Sequence, residues 1–277
     1  MNGLTALQAI LLGALQGLTE FLPVSSSGHL ALLQQFFGLH EPALIFDLFV
    51  HIATLFAVVL MYRRDIWALI TAWVGPGSST PFLSHAPEVY AERSSARRLG
   101  MLLIVANLPT AVIGLTFEST FERLFTIPWA VGLALIGTGT ILWCVKQFVL
   151  RPGKTKMGIA HALLLGCVQG LAITPGISRS GSTIAAALLC GIPRDMAARF
   201  SFLMSIPAIL GATLLKSASL NALSSEQLSL IAAGMLSALI VGYVALRVLV
   251  HLVQQGDLWR FAFYCWCLGL SAILVSL

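Results

Sequence analysis

The sequence predicts an all-α integral membrane protein with an inverted-topology repeat, each half one re-entrant helical hairpin plus three transmembrane helices. Three observations lead there. The 277 residues are 58% hydrophobic and 10% charged, with a mean hydropathy of +0.91, whereas soluble domains are about 25% charged. The apolar runs between charged breaks reach the length of about 20 residues that a helix needs to cross a bilayer core. The chain also repeats itself. Residues 11–30 and 164–183 superpose without a gap at a shift of 153, matching at Leu11/Leu164, Leu12/Leu165, Gly13/Gly166, Gln16/Gln169, Gly17/Gly170, Leu18/Leu171, Ser25/Ser178, Ser27/Ser180 and Gly28/Gly181.

Residues 5–20 form an apolar helical run of about 24 Å, short for a hydrocarbon core of roughly 30 Å. Pro23 and the serines break it, and 29–39 is a second short helix ending near Gly38. Two short helices joined by a polar tip read as a re-entrant hairpin, because irregular backbone at membrane depth needs protein or a wet cavity around it. Residues 44–62 make a full span closed by Arg63, Arg64 and Asp65. A short apolar piece at 66–74 ends at Gly75-Pro76-Gly77, before a Ser/Pro-rich polar loop with Arg93, Arg97 and Arg98. Spans at 100–117 and 128–150 are separated by Glu118, Glu122 and Arg123. A basic turn of Arg151, Pro152, Gly153, Lys154 and Lys156 precedes the second hairpin at 157–192, which Arg194, Asp195 and Arg199 close. The last spans run at about 200–216, 228–252 and 258–277.

The chain reads as a single polytopic membrane domain over 1–277, with repeat 1 at about 5–150 and repeat 2 at about 157–277. The longest polar interval, roughly 75–98, is too short to bury a soluble core. Met1-Asn-Gly-Leu-Thr lacks the positive n-region of a signal peptide, so the first apolar run is expected to stay in the mature protein. Three spans per half is an odd number, which turns the second half upside down relative to the first. With 63–98 on the inner side, 13 of the Lys and Arg residues fall inside, only Arg123 and Lys216 fall outside, and Arg179 is left at membrane depth. The net charge of +5 therefore records orientation and gives no reason to expect nucleic acid. The five cysteines lie inside apolar runs without metal-ligand spacing and read as packing residues.

The polar residues gather at the two hairpin tips. Gln16 and Glu20 stand four apart and share one helix face. A carboxylate within a membrane helix is costly and marks a functional site by default, a cap or a structural partner for an arginine being the alternative. Pro23-Val-Ser25-Ser26-Ser27-Gly28-His29 offers three hydroxyls and the N–H groups of a helix start, which suit phosphate oxygens. Helix capping explains one serine, not three beside a histidine. His29 can donate a proton, accept one or act as nucleophile near neutral pH. In Pro175-Gly-Ile-Ser178-Arg179-Ser180-Gly181-Ser-Thr183, the arginine fork suits bidentate phosphate binding among surrounding hydroxyls. Pairing with Glu20 is its structural alternative, and the two roles are compatible. Asp47 either lines the mouth or sits at the headgroups. His51 reads as a packed histidine, as do His161 and His251, and the six tryptophans as packing or interface anchors. Pro109 and Pro207 fall inside spans, with Asn107 expected to satisfy the backbone that Pro109 frees.

These motifs resemble the undecaprenyl-diphosphate phosphatase family, also called bacitracin resistance proteins. The resemblance rests on Gln16-Gly-Leu-Thr-Glu20, an instance of the family's Glu/Gln-x-x-x-Glu motif, on the adjoining Phe21 to His29 stretch, and on Pro175 to Thr183. It runs the length of the chain. Many members carry glutamate where this sequence has Gln16, which leaves one carboxylate rather than two. The resemblance implies dephosphorylation of a C55 polyprenyl diphosphate to the monophosphate, recycling the lipid carrier for cell-wall synthesis. It implies a multi-pass protein of the bacterial inner (plasma) membrane, with its site open to the periplasmic or outer face and dependent on a divalent cation, Mg²⁺ or Ca²⁺. Ser26 then corresponds to the proposed nucleophile, His29 to its acid/base or rival nucleophile, Arg179 to the phosphate clamp and Glu20 to the essential acid. Glu20 and Gln16 would hold the cation. Gln16, Ser25, Ser27, Gly28, Ser178, Ser180, Gly181 and Thr183 would line the substrate. The expected partners are the lipid substrate and membrane lipids, and a homodimer is compatible with the sequence.

The expected chemistry is attack by Ser26, activated through His29, on the terminal phosphorus, followed by hydrolysis of the phosphoenzyme. Direct attack by water, with His29 as base, is the rival. A transporter or flippase for an anion or a polyprenyl phosphate would use the same inverted-repeat site. It would need donors for its anion but no nucleophile and base.

Overall fold

In the computed structural model, which describes residues 4–37, 44–74, 93–149, 153–217 and 224–276, the regular structure is entirely helical. The helices are α1 (Ala6–Phe21), α2 (Ser26–Phe36), α3 (Leu44–Met61), α4 (Arg63–Val74), α5 (Arg93–Thr116), α6 (Glu118–Phe125), α7 (Pro128–Phe148), α8 (Ile159–Leu171), α9 (Arg179–Leu189), α10 (Arg194–Ser217), α11 (Ser225–Gln255) and α12 (Phe261–Ser276). The Ser/Pro-rich loop at 75–92, Gly38 and the Arg151-Pro152 turn lie outside the described residues.

Local sequence sets the ends. Thr5 caps α1 in a capping box with Gln8, and Ser224 does the same for α11 with Gln227. Gly256, in the left-handed region at φ 86°, stops α11. Among the described residues, five helices are long and apolar enough to cross a membrane: those at Ser95–Thr116, Pro128–Phe148, Arg194–Leu215, Gln227–Gln255 and Leu258–Ser276. Helices α3 and α4 are together long and apolar enough for one more, but they meet at a bend of 77°, the shape of a broken span or a re-entrant loop. The chain is thus a multi-pass membrane protein. Met101, Ile104, Leu108 and Val112 on α5 stay exposed, as residues facing acyl chains should.

Two elements differ from expectation. Glu118, Glu122 and Arg123 do more than break two spans. They belong to α6, a short amphipathic helix that turns Phe121 inward. Asn107 does not serve the carbonyl that Pro109 leaves four residues earlier; its Nδ2 donates to the Leu103 carbonyl at 2.9 Å, one turn behind itself.

The halves are interlocked rather than set side by side. Helix α1 packs on α11, and α8, its counterpart in the repeat, packs on α5. Both contacts are made by the repeated glycines: Gly13 and Gly17 lie against Gly234 and Ala238, while Gly166 and Gly170 lie against Ala106 and Ile113. Without side chains in the way, the backbones approach closely, as small residues allow between membrane helices. Helices α7 and α12 meet at a reciprocal pair. A Cβ on Gly132 would stand 2.6 Å from the Gly269 carbonyl oxygen, and one on Gly269 would stand 2.6 Å from that of Gly132. Such an exchange of like contacts is consistent with the expected inverted repeat.

The cations assigned to the inner side hold one end of the bundle together. Arg97 donates to the Ala72 carbonyl, Arg98 to that of Met157 and Arg194 to that of Gln254. Lys146 sits 3.7 Å from the centre of the Trp259 ring.

Candidate active site

The two hairpin tips meet in the protein interior, and backbone geometry makes the junction possible. Ser25 takes φ 67°, a costly region for a residue with a Cβ, and so turns the chain into α2. Gly176 takes φ 92° in the second tip, where a side chain would run into the Val131 carbonyl of α7. The tips then bond to each other. Gly176 N–H donates to Ser25 Oγ at 3.1 Å, and Ser180 Oγ donates to the Phe21 carbonyl at 2.9 Å. Thr138 of α7 clamps the second tip by accepting from Ser178 N–H at 3.0 Å and donating to the Gly176 carbonyl at 2.9 Å.

Glu20 is the hub of the junction. Its Oε1 accepts from Arg179 Nη2. Its Oε2 accepts from Ser26 Oγ at 2.6 Å and from Gln16 Nε2 at 3.0 Å. His51 Nε2 stands 3.7 Å from the same oxygen. A buried carboxylate is tolerated because a cation and neutral donors surround it. Ser26 and Ser27 are half-buried, and the Arg179 side chain keeps 19% and the His51 side chain 30% of its surface exposed, so the way in runs past these groups.

The structure brings Gln16, Glu20, Ser26 and Arg179 together as expected. It does not join Ser26 to His29. The Ser26 hydroxyl is given to Glu20, and His29 is held elsewhere, with Nδ1 2.8 Å from the Ser25 carbonyl and Nε2 2.7 Å from the Tyr264 hydroxyl. The expected activation of Ser26 through His29 therefore has no contact behind it; the serine hydroxyl donates its hydrogen bond to Glu20. The hydroxyls expected to line the substrate are largely taken up by the junction. Ser178 caps α9 through Gly181 N–H, Thr183 donates to the Arg179 carbonyl, and Ser25 pairs with Ser27 at 3.3 Å. Gly28 and Gly181 are buried at the seam, Gly181 against Pro23.

His51, Tyr264 and Thr138 are the participants that sequence reasoning did not single out for the site. The spacing of Asp47 and His51 on one face of α3 is a usable signal for the first. One tyrosine and one threonine among apolar spans carry no such signal. Asp47 accepts from Gln34 Nε2 at 2.7 Å and ties α2 to α3.

Two buried polar atoms in this site have no hydrogen-bond partner among the described residues: Gln16 Oε1, an acceptor, and Arg179 Nη1, a donor. A phosphate oxygen would be a fitting partner for the second, and a hard cation for the first, since amide and carboxylate oxygens are its usual ligands. Among the described residues no group of three or more His, Cys, Asp or Glu forms a protein cage for a metal. The donor set therefore fits a cation shared between Gln16, Glu20 and substrate oxygens.

Known proteins share this sequence over nearly its whole length. The family described as Bacitracin resistance protein BacA matches residues 9–271. The chain is 44% identical over 264 residues to the undecaprenyl-diphosphatase of Desulfosudis oleivorans, covering 95% of this chain and 96% of that one. It is 42% identical over 282 residues to the undecaprenyl-diphosphatase of Rubrobacter xylanophilus, covering 99% and 98%. The protein of that name in Carboxydothermus hydrogenoformans is 41% identical over 278 residues.

Proposed function

This chain belongs to the bacitracin resistance protein family, and on that premise we propose that it hydrolyses undecaprenyl diphosphate to the monophosphate and inorganic phosphate. The reaction takes place within the bacterial inner membrane, at a site open to its outer face, and recycles the lipid carrier for cell-wall synthesis. The observation that carries this reading is the convergence of Ser26 and Arg179, from different halves, on the two oxygens of Glu20.

Arg179 Nη1 receives the terminal phosphate, while its Nη2 remains with Glu20 and keeps the fork in place. Ser26 Oγ attacks the terminal phosphorus. The new O–P bond forms as the bridging P–O bond breaks, polyprenyl phosphate leaves, and the hydroxyl proton passes to Glu20 Oε2. Water then attacks the phosphoserine, inorganic phosphate departs, and the serine regains a proton. Charge spreading over the transferring group is met by Arg179 and the N-terminus of α9 in a site of low dielectric, where fixed donors count most. Glu20 and Gln16 would hold a divalent cation, which when bound would further neutralise the diphosphate. All of these residues come from one chain, so a homodimer is not required for chemistry.

Phosphate release from undecaprenyl diphosphate by purified protein tests the reading, with Ser26→Ala and Arg179→Ala beside wild type. Trapped phosphate on Ser26 supports the covalent route, and single-step inversion at phosphorus replaces it with direct attack by water. Wild type that releases no phosphate sinks the proposal.

A further inference from the structure

The end of the bundle to which the inner cations are assigned carries a platform of aromatic rings. Trp143 of α7, Trp259 just before α12, and Phe263 and Trp266 of α12 form one cluster, with ring centroids 5.5 to 6.1 Å apart. Trp266 is fixed in place by donating Nε1–H to Thr140 Oγ1 at 3.3 Å. Lys146, one turn beyond Trp143, lays its ammonium on this platform, 3.7 Å from the centre of the Trp259 ring and 4.6 Å from that of Trp143. Among the described residues no carboxylate pairs with it. Asp257, the acid closest to Trp259 in the chain, is held by Arg260 Nη2 at 3.0 Å. Ring faces attract a cation without accepting its three N–H bonds as an anion would. The last turn of α7 favours a positive charge, which accounts for a lysine there but not for the rings around it.

We propose that this platform binds one anionic phospholipid of the inner leaflet, its headgroup phosphate accepting from Lys146 Nζ and its acyl chains lying against the exposed rings. The site is separate from the Glu20 junction, and the proposal does not rest on the phosphatase reading. Charge complementarity selects the occupant. A lysine without an acid, at the depth where tryptophans meet headgroups, lacks one negative charge, and a lipid of net negative charge supplies it. A zwitterionic headgroup brings its own cation and gains less.

Several other cations at this end are already engaged. Arg97, Arg98 and Arg194 donate to backbone carbonyls, and Arg260 pairs with Asp257. Lys146 differs in having rings for partners and an exposed side chain. Its ammonium is held in place before any lipid arrives, so less ordering is needed on binding. Phe263, one turn deeper on α12 and 51% exposed, offers the acyl chains an apolar face.

The test is lipid binding by the intact protein, purified in a neutral detergent and titrated with phosphatidylglycerol or with phosphatidylcholine of the same chain length, read by native mass spectrometry. Wild type is expected to bind the first phosphatidylglycerol about fivefold more tightly than phosphatidylcholine, the gain that one lysine at a headgroup provides. Lys146→Gln should bring the two affinities to within about twofold of each other, since the charge is gone. Lys146→Arg should keep the preference, because a guanidinium also stacks on rings. Lys154→Gln removes an exposed lysine outside the ring cluster and should leave the preference unchanged. Equal affinities in wild type overturn the proposal, as does a preference that survives Lys146→Gln. An equal loss in Lys154→Gln overturns it too, by showing a diffuse field in place of a site. Melting temperatures in the same detergent, expected to be unchanged because Lys146 is exposed, separate loss of fold from loss of affinity.

Discussion

Arg179 and Glu20 stand 159 residues apart, on tips from opposite halves of the chain, and the arginine Nη2 donates directly to the glutamate Oε1. The pair closes the tip-to-tip junction and sets the orientation of Arg179 Nη1 and Ser26 Oγ, the atoms that the proposed reaction gives to substrate.

Arg179→Ala should therefore damage two things at once. Glu20 has 5% of its side chain exposed, and removing its cation leaves a buried charge, at a cost of about 3–5 kcal/mol. The same change removes the proposed phosphate clamp and should lower kcat about 10²- to 10³-fold. The double variant Arg179→Ala/Glu20→Gln separates the effects: thermal stability should return, because no charge is stranded, while phosphate release stays low. Recovery of turnover in the double variant would show that Arg179 serves the fold alone.

Tyr264→Phe probes the placement of His29. With Nδ1–H on the Ser25 carbonyl, His29 Nε2 accepts from the Tyr264 hydroxyl, and the two rings stack at 5.7 Å. Phenylalanine keeps the stack and strands one buried acceptor, so stability should fall by about 1 kcal/mol. Turnover measured on the folded fraction should stay within about threefold of wild type if His29 acts as a brace between α2 and α12. A collapse comparable to that of Ser26→Ala would put the His29–Tyr264 pair into the chemistry.

Gln16→Glu tests the shared cation site. The amide Oε1 has no partner among the described residues, and a carboxylate there adds charge beside Glu20. Chelation should abolish phosphate release by wild type and by the variant, and Mg²⁺ or Ca²⁺ should restore both. The variant should need roughly tenfold less cation for half-maximal activity, since added ligand charge raises affinity. Its melting temperature should also become cation-dependent, because two adjacent carboxylates repel when no ion lies between them. A variant with unchanged cation demand would move the ion away from Gln16.

Much of this could be read from the chain. Glu20 and Arg179 are charged residues in apolar surroundings, and a charge at membrane depth must have a reason, so their places in the chain expose them, whereas Ser26 is singled out only through the family resemblance. The internal repeat exposes the pairing of the tips. What the sequence hides is the choice among chemically similar neighbours. Three consecutive serines do not say which hydroxyl faces Glu20; the turn at Ser25 decides that by using Ser25 as an acceptor for Gly176 and sending Ser26 inward. Likewise His29 is near the site in sequence but bonded to α12, while His51 is remote from the motifs yet faces Glu20, because α3 packs across α1. The break between α3 and α4 is legible as the charged Arg63-Arg64-Asp65, but its 77° angle is not, since neither proline nor glycine marks a bend there.

The contact between α7 and α12 offers a test of the fold that replaces no residue bonded to Glu20. Gly132 and Gly269 face each other so closely that a methyl group on Gly132 would stand 2.6 Å from the Gly269 carbonyl oxygen and 2.8 Å from the Ile273 side chain. The first neighbour is backbone and cannot turn aside. Gly132→Ala must push the helices apart, at a cost of about 1–3 kcal/mol. Gly137 sits on the same helix with no atom within 4 Å of the place a methyl would occupy. There Gly137→Ala should be neutral or add up to about 1 kcal/mol through helix propensity. Opposite shifts in melting temperature for these two identical substitutions, five positions apart on one helix, are the expected result. Equal shifts would mean that α7 and α12 do not meet at Gly132, and the reciprocal contact between the halves would have to be abandoned.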